Sequence, residues 1–239
     1  MPVMCLKRSE RTITMRVDLI QHTPDPEKVV AAAARLCYSA DAVPDLLLHL
    51  DDELVASFVR KLREMGHLST FEHVSFQFSI DGVSRALSHQ LVRHRIASYS
   101  QRSQRYVEEK GFAFVIPPSV KQNPEALERF EMVMARLQED YQELLICVPA
   151  EDARYVLPNA CTTSLLATFN ARSLLNFFEH RTCLRAQWEI RSLAEKMLEL
   201  VRVVAPNLFS EAGPTCLTQK VCHQGKYSCG RLKSLEGKK

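Results

Sequence analysis

Residues 93 to 106, RHRIASYSQRSQRY, gather Arg93, Arg95, Arg102, Arg105, His94 and the hydroxyls of Ser98, Ser100 and Ser103 with no carboxylate among them. The acid-free window is wider still, running from Gly82 to Val107, and a second one from Ala153 to Phe178 contains Arg154 and Arg172. A planar guanidinium donates two parallel hydrogen bonds to phosphate oxygens and stays charged at every working pH, so this segregation points to an anion held by side chains. The glycine-rich alternative is missing: the seven glycines build neither G-x-G-x-x-G nor G-x-x-x-x-G-K-[ST]. On an extended chain Ser103 and Arg105 share a face and can grip one phosphate, while Arg93 and Arg95 share a face with His94 pointing the other way. The bland reading is that these arginines are solvated surface or pair with carboxylates from elsewhere in the fold.

The elements that must position this stretch are legible on both sides of it. Thr12 to Gln21 alternates and reads as a strand stopped at Pro24 and Pro26, and Glu27 to Tyr38 follows as a helix. Asp51 to Met65 carries Leu54, Phe58 and Leu62 as a helical stripe. In HVSFQFSI, Val74, Phe76, Phe78 and Ile80 alternate with polar residues, the pattern of a half-buried strand, with Asp81-Gly82 at its end. Ser84 to Arg93 reads as a helix leading into the arginines. Beyond them, FAFVIPP reads as a short strand, Pro124 to Leu145 as a long helix, and Thr162 to Phe169 as a strand. Two further helices follow, with Asn170 as an N-cap and Pro206 as a stop. Strands and helices mix without a βαβ rhythm, so the expected class is α+β, a single domain with a twisted, mainly antiparallel sheet flanked by helices.

Composition sets outer bounds. Apolar residues are 46% and charged residues 25% of the 239, as in an ordinary globular chain. A net charge of only +3 gives no general reason to expect a nucleic-acid or membrane partner. The opening residues lack a secretory signal and no apolar run spans a bilayer, so the expected location is cytoplasmic. Eight scattered cysteines do not read as a disulfide scaffold and are expected to be mostly buried thiols. No metal is expected. His67, Glu72 and His73 do not form H-E-x-x-H, and the minor alternative is zinc on Cys216, Cys222, His223 and Cys229 of the tail.

RHRIASYSQRS fits the R-H-R-x7-S signature of the flavin-dependent thymidylate synthases, and the chain around it resembles that family as well. GHLSTFEHVSFQF lies upstream, SHQLVRHR leads in, SQRY completes the signature, and ARYVLPNA, NARSLLNFF, HR and AQWEIR follow in family order. The resemblance covers Val17 to Phe209, which divides the chain into a synthase-like domain over 1–209 and a Cys-rich tail over 210–239. It implies a homotetramer with active sites at subunit contacts, binding FAD and dUMP, drawing hydride from NADPH and a one-carbon unit from methylenetetrahydrofolate to make dTMP. Residue by residue, it implies that His67, Ser69, Arg93, His94, Arg95, Ile96, Asn170, Arg172 and Asn176 hold flavin. Gln90, Gln101, Ser103, Gln104, Arg105, Arg154 and Arg181 would hold the nucleotide, with Arg181, Arg105 and Ser103 nearest the chemistry.

Covalent attack on the pyrimidine would need an activated nucleophile, and none of the cysteines lies in the basic stretch. Ser103 has no base beside it in sequence and is read as a phosphate contact rather than a nucleophile. Flavin then supplies the hydride while the arginines stabilise developing charge. Gln101 stands where some members of the family carry Glu, and an amide cannot act as a base. Two rival classes remain. A nucleic-acid-binding module would use Arg93 to Arg105 on phosphodiesters with Tyr99 and Tyr106 stacking on bases, and a flavin-free metal-binding or structural protein would explain the tail.

Overall fold

Four strands are laid down far apart in the chain: β1 at Arg16–His22, β2 at Ser75–Ser84, β3 at Ala97–Gln101 and β4 at Thr162–Asn170. In the computed structural model, which describes residues 14–236, they form one sheet in the order β1-β2-β4-β3. Residues 12 and 13 of the expected first strand lie outside the described residues. The pairing is antiparallel. The Ala171 N–H donates to the Val74 carbonyl at 3.1 Å and the Arg85 N–H to the Cys161 carbonyl at 3.0 Å, so opposite ends of β4 meet opposite ends of β2. Helices make up most of the other described elements, and the α+β expectation holds.

The described chain groups into two compact units that interleave in sequence. One consists of Ile80–Arg93 and Ser100–Leu166 with the chain up to Arg16, the other of Val17–Ser79, His94–Tyr99 and the chain from Ala167 onward. In the first, Asn123 caps the Pro124–Cys147 helix by accepting from the Ala126 N–H at 3.2 Å, and the proline at the helix start has no N–H to leave unpaired. That helix buries Met134 and Tyr141, and Met134 packs with Phe112, Phe114 and Cys161. The strand expected at FAFVIPP shrinks to a single bridge between Phe114 and Cys161, because Pro117 and Pro118 remove the donors that a longer ladder needs. Asp81 and Gly82 do not end β2 either. The strand runs on to Ser84 through Gly82, whose φ of 69° is one that glycine adopts without a Cβ penalty.

In the second unit three of the long helices start on a side-chain cap. Asp51 accepts from Leu54 at 2.8 Å for the Asp52–Glu64 helix, Asn170 from Ser173 at 2.8 Å for Ala171–Arg181, and Gln187 from Ile190 at 3.1 Å for Trp188–Val204. The alternation in β2 is as expected, with Val74, Phe76 and Phe78 fully buried. Phe76 and Phe178 both meet Phe209 edge-on, at 5.4 and 5.9 Å. The Asp52–Glu64 stripe is rotated from the expected one. Val55, Val59 and Leu62 enter the core, and Leu54 and Phe58 stay half-buried where they line cavities. Residues 206–212 are tied down by charge: Glu27 accepts from the Asn207 and Leu208 N–H groups, Arg63 donates to the Leu208 carbonyl at 3.1 Å, and Arg202 donates to Phe209 and Ala212. Among the described cysteines Cys161 and Cys216 are buried but Cys37, Cys147 and Cys229 are exposed, so the expectation of mostly buried thiols fails.

Candidate functional site

The first unit holds two of the three arginines expected at the nucleotide, Arg105 and Arg154, while Arg181 belongs to the second. After β3 the chain turns instead of staying extended: the Ser103 carbonyl accepts from the N–H groups of Tyr106 and Val107, at 3.3 and 3.0 Å. The turn replaces the shared strand face expected for Ser103 and Arg105. It brings them together by another route, because the Ser103 hydroxyl accepts from the Arg105 N–H at 3.2 Å. Arg105 Nε reaches the Glu151 carboxylate at 2.5 Å, and its guanidinium lies 5.2 Å from the Tyr106 ring centre. Arg154 Nε donates to the backbone carbonyl of the same Glu151 at 2.9 Å. Both arginines thus converge on one residue that leaves their terminal nitrogens without partners among the described residues. Glu151 is the carboxylate that reading the arginine stretch alone misses; its signal is a place just ahead of the second acid-free window.

Gln101 is half-buried and donates from Nε2 to the hydroxyls of Ser88 and Thr163, at 3.1 and 3.2 Å, which leaves its carbonyl oxygen as an acceptor without a partner among the described residues. Gln90 sits on the Arg85–Leu91 helix, its amide 3.5 Å from the Ala86 carbonyl. Gln104 is buried, with 8% exposure, and its amide lies 3.7 Å from Cys161 Sγ, so its side chain reaches a ligand only by leaving that contact. Burial pushes the Cys161 thiol up to about 12, which keeps it protonated and unsuited to nucleophilic attack. Arg102 donates to Ser164 at 2.9 Å. Arg93 is exposed at the end of this unit.

The second unit holds a cavity of about 580 Å3, within the range of small-molecule and cofactor sites. His67, Ser69 and Arg172, three of the expected flavin residues, line it together with Tyr38, Phe58, Lys61 and Met65. Thr70 lines it too, and its hydroxyl is buried with no hydrogen-bond partner. An orphaned buried hydroxyl costs stability unless a ligand meets it. Thr70 escaped notice in the sequence although it stands inside GHLST. A neighbouring cavity, lined by Arg35, Ser39 and Leu54, shares Tyr38 and Phe58 with the first. Arg172 also pairs with Glu72 at 2.5 Å.

Arg172 opens the Ala171–Arg181 helix and Arg181 closes it, nine residues apart, or about 13 Å along the axis at 1.5 Å per residue. Arg181 donates from Nε to His94 Nε2 at 3.0 Å, and the His94 ring meets Phe177 edge-on at 4.9 Å. Burial, then the positive charge of Arg181 and then His180 pull the His94 imidazolium down to about 4. His94 is therefore neutral at working pH, accepting at Nε2 and carrying its proton on Nδ1. Arg95 and Ile96 project from this histidine into the open, Ile96 with 74% exposure. Asn170 spends its side-chain oxygen on the helix cap, and Asn176 is exposed; neither lines the cavity. Flat apolar walls, two cationic side chains and free hydroxyls are the chemistry a flavin dinucleotide requires, so the residues present fit FAD.

The zinc alternative is not assembled. Among the described residues no three His, Cys, Asp or Glu side chains are gathered for a metal ion, and Cys222 instead contacts the Ser228 hydroxyl at 3.5 Å. Nor is any helix among them long and apolar enough to cross a membrane.

An α+β chain with an arginine pair suited to an anion and a separate apolar-walled, cationic cavity belongs to the class of nucleotide- and cofactor-binding enzymes. The family model described as Thymidylate synthase complementing protein matches residues 18–207. The flavin-dependent thymidylate synthase of Geobacter sulfurreducens is 52% identical over 91% of this chain and 94% of its own. That of Clostridium tetani is 47% identical over 95% and 97%. Among solved structures, a UMP/dUMP methylase, PolB from Streptomyces cacaoi, bound with 5-Br dUMP, superposes with a TM-score of 0.74 at 25% identity, covering 82% of this chain and 93% of its own. The chain is a member of the flavin-dependent thymidylate synthase family.

Proposed function

We propose that the protein methylates dUMP reductively to dTMP with a division of labour between its two units: the cavity beside Arg172 takes FAD, and the Arg105 and Arg154 pair takes the nucleotide phosphate. The observation that carries this reading is the cavity itself, where Ser69, Arg172 and the unpaired Thr70 hydroxyl face one apolar-walled space. When bound, FAD supplies a hydride drawn from NADPH, and methylenetetrahydrofolate is the one-carbon donor. The chain's own side chains bind and polarise. Arg105 exchanges the Glu151 carboxylate for phosphate oxygens, which offer more acceptor sites than one carboxylate does, and Arg154 adds its terminal N–H groups while Nε stays on the Glu151 carbonyl. Gln101 turns its carbonyl oxygen toward a donor on the nucleotide, and Arg181, fixed through Nε by His94, offers its remaining N–H groups to charge that develops on the pyrimidine.

Residues 1–209 form the synthase domain in this reading and 210–239 an appended tail; the family match over 18–207 supports that division. The working form is a cytoplasmic homotetramer in which neighbouring subunits cover the arginine loops. The exposed side chains of Ile96 and Tyr106 beside those loops, 74% and 77% accessible, support such a cover. The deciding experiment is a visible absorbance spectrum of the purified protein after FAD addition and desalting. A retained two-banded flavin spectrum that NADPH bleaches in the presence of dUMP supports the reading; a colourless protein under both conditions overturns it.

Ser103 is a binding group in this scheme. Its hydroxyl accepts from the Arg105 N–H, and no base is hydrogen-bonded to it among the described residues to take its proton. Ser103→Ala is expected to keep measurable turnover, with KM for dUMP raised more than kcat is lowered. Complete loss of turnover with FAD and dUMP still bound would restore Ser103 as a nucleophile.

A further inference from the structure

Tyr99 belongs to neither the flavin nor the nucleotide set assigned above, yet the structure ties it to the centre of the R-H-R segment. In β3 half-buried and exposed residues alternate, which turns Tyr99 inward. Its ring stands edge-on to Phe169 at 5.7 Å, and Phe169 in turn contacts Phe177, the ring that also meets His94. From that seat the phenol reaches back five residues and donates to the His94 carbonyl at 2.9 Å. Burial raises the pKa of this phenol well above its ordinary value, so it stays a protonated donor throughout the working range.

This bond fixes more than one oxygen. The peptide between His94 and Arg95 is planar and trans, so its N–H points opposite to its carbonyl. With the carbonyl drawn inward onto Tyr99, the Arg95 N–H is turned outward, on the side where Arg95 and Ile96 are exposed. No backbone acceptor meets that N–H among the described residues. His94 is held at its other end by Arg181 Nε and across its ring by Phe177. Three contacts therefore determine one residue, and the Arg95 N–H is left presented to a ligand.

We propose that Tyr99 is a positioning residue for the flavin: by holding the His94 carbonyl it presets the His94–Arg95 peptide so that the Arg95 N–H donates to an acceptor atom of the bound cofactor. The inference rests on the reading that residues 93–96 hold flavin. Tyr99→Phe tests it, because phenylalanine keeps the ring and its contact with Phe169 while deleting only the donor. FAD is titrated into the full-length apoprotein, and its affinity and bound absorption spectrum are compared among wild type, Tyr99→Phe and His94→Ala, with the melting temperature and KM for dUMP recorded for each. The expected result for Tyr99→Phe is FAD binding weakened about three- to tenfold, the worth of one intramolecular hydrogen bond. A shifted flavin band should accompany it, with KM for dUMP unchanged and the melting temperature lowered by only about 2–4 °C, the cost of the same bond to the fold. If His94→Ala weakens FAD binding and Tyr99→Phe alters neither affinity nor spectrum, the positioning role is wrong while the flavin loop stands. If neither variant affects FAD, the loop assignment itself is wrong and the role falls with it. Parallel losses of FAD affinity, dUMP affinity and melting temperature in Tyr99→Phe would reduce Tyr99 to a packing residue and overturn the proposal.

Discussion

Arg105→Ala is expected to weaken dUMP binding by about 10- to 100-fold while FAD stays bound, the usual worth of a charge-assisted hydrogen bond lost from a ligand. The side chain's surroundings make the experiment clean. Arg105 and Glu151 are about half exposed as a pair, and an ion pair so open to solvent adds little to folding stability. The turn survives, since the bonds to the Ser103 carbonyl come from the backbone of Tyr106 and Val107. Arg154 keeps its hold on the Glu151 carbonyl and retains part of the phosphate site. Calorimetric titration with dUMP and the flavin spectrum of the same sample read the two sites separately. Loss of flavin with nucleotide affinity unchanged would show that the two residue sets had been assigned the wrong way round.

The arginine stretch shows how far sequence reasoning reaches and where it stops. Its acid-free composition points to an anion site and the resemblance names ligands for it, but the local geometry does not follow from either. On an extended chain alternation would place Ser103 and Arg105 on one face. The real device is a turn closed by backbone hydrogen bonds that no side-chain pattern encodes. β3 passed unnoticed for a related reason: Ala-Ser-Tyr-Ser-Gln lacks the β-branched and apolar alternation that marks a strand. It is a strand because β4 offers it an edge. Glu151 was invisible as a partner because pairing across 46 residues is a property of the fold. By contrast β2, the capped helices and the α+β class were legible, since each is specified by local periodicity and by a capping residue at a fixed offset. The cavity was half legible. His67, Ser69 and Arg172 were named through family motifs, and Thr70 follows Ser69 in one of them, whereas Tyr38 and Lys61 join them only through the packing of the Pro26–Leu36 and Asp52–Glu64 helices around it.

Arg181→Met is expected to lower kcat by about 10²- to 10³-fold, the range found when one preorganised donor is removed from a developing charge. It also carries a second signature that a loss of folding could not imitate. Arg181 is one of the cations that depress the His94 imidazolium, and burial is the larger cause. Removing the cation makes protonation easier, so the His94 titration, followed by NMR, moves up from about 4 toward the ordinary histidine range without reaching it. The sign for stability follows from linkage. In wild type the unfolded chain binds a proton at His94 that the folded chain refuses between its two titration points. Stability from this group is therefore complete above the unfolded value and is lost as pH falls through the folded one. With the folded value raised in Arg181→Met, that acid-sensitive window narrows and the variant's stability varies less across it. A variant whose kcat falls while His94 titrates where it did before would separate Arg181 from His94 and leave the arginine acting on substrate alone.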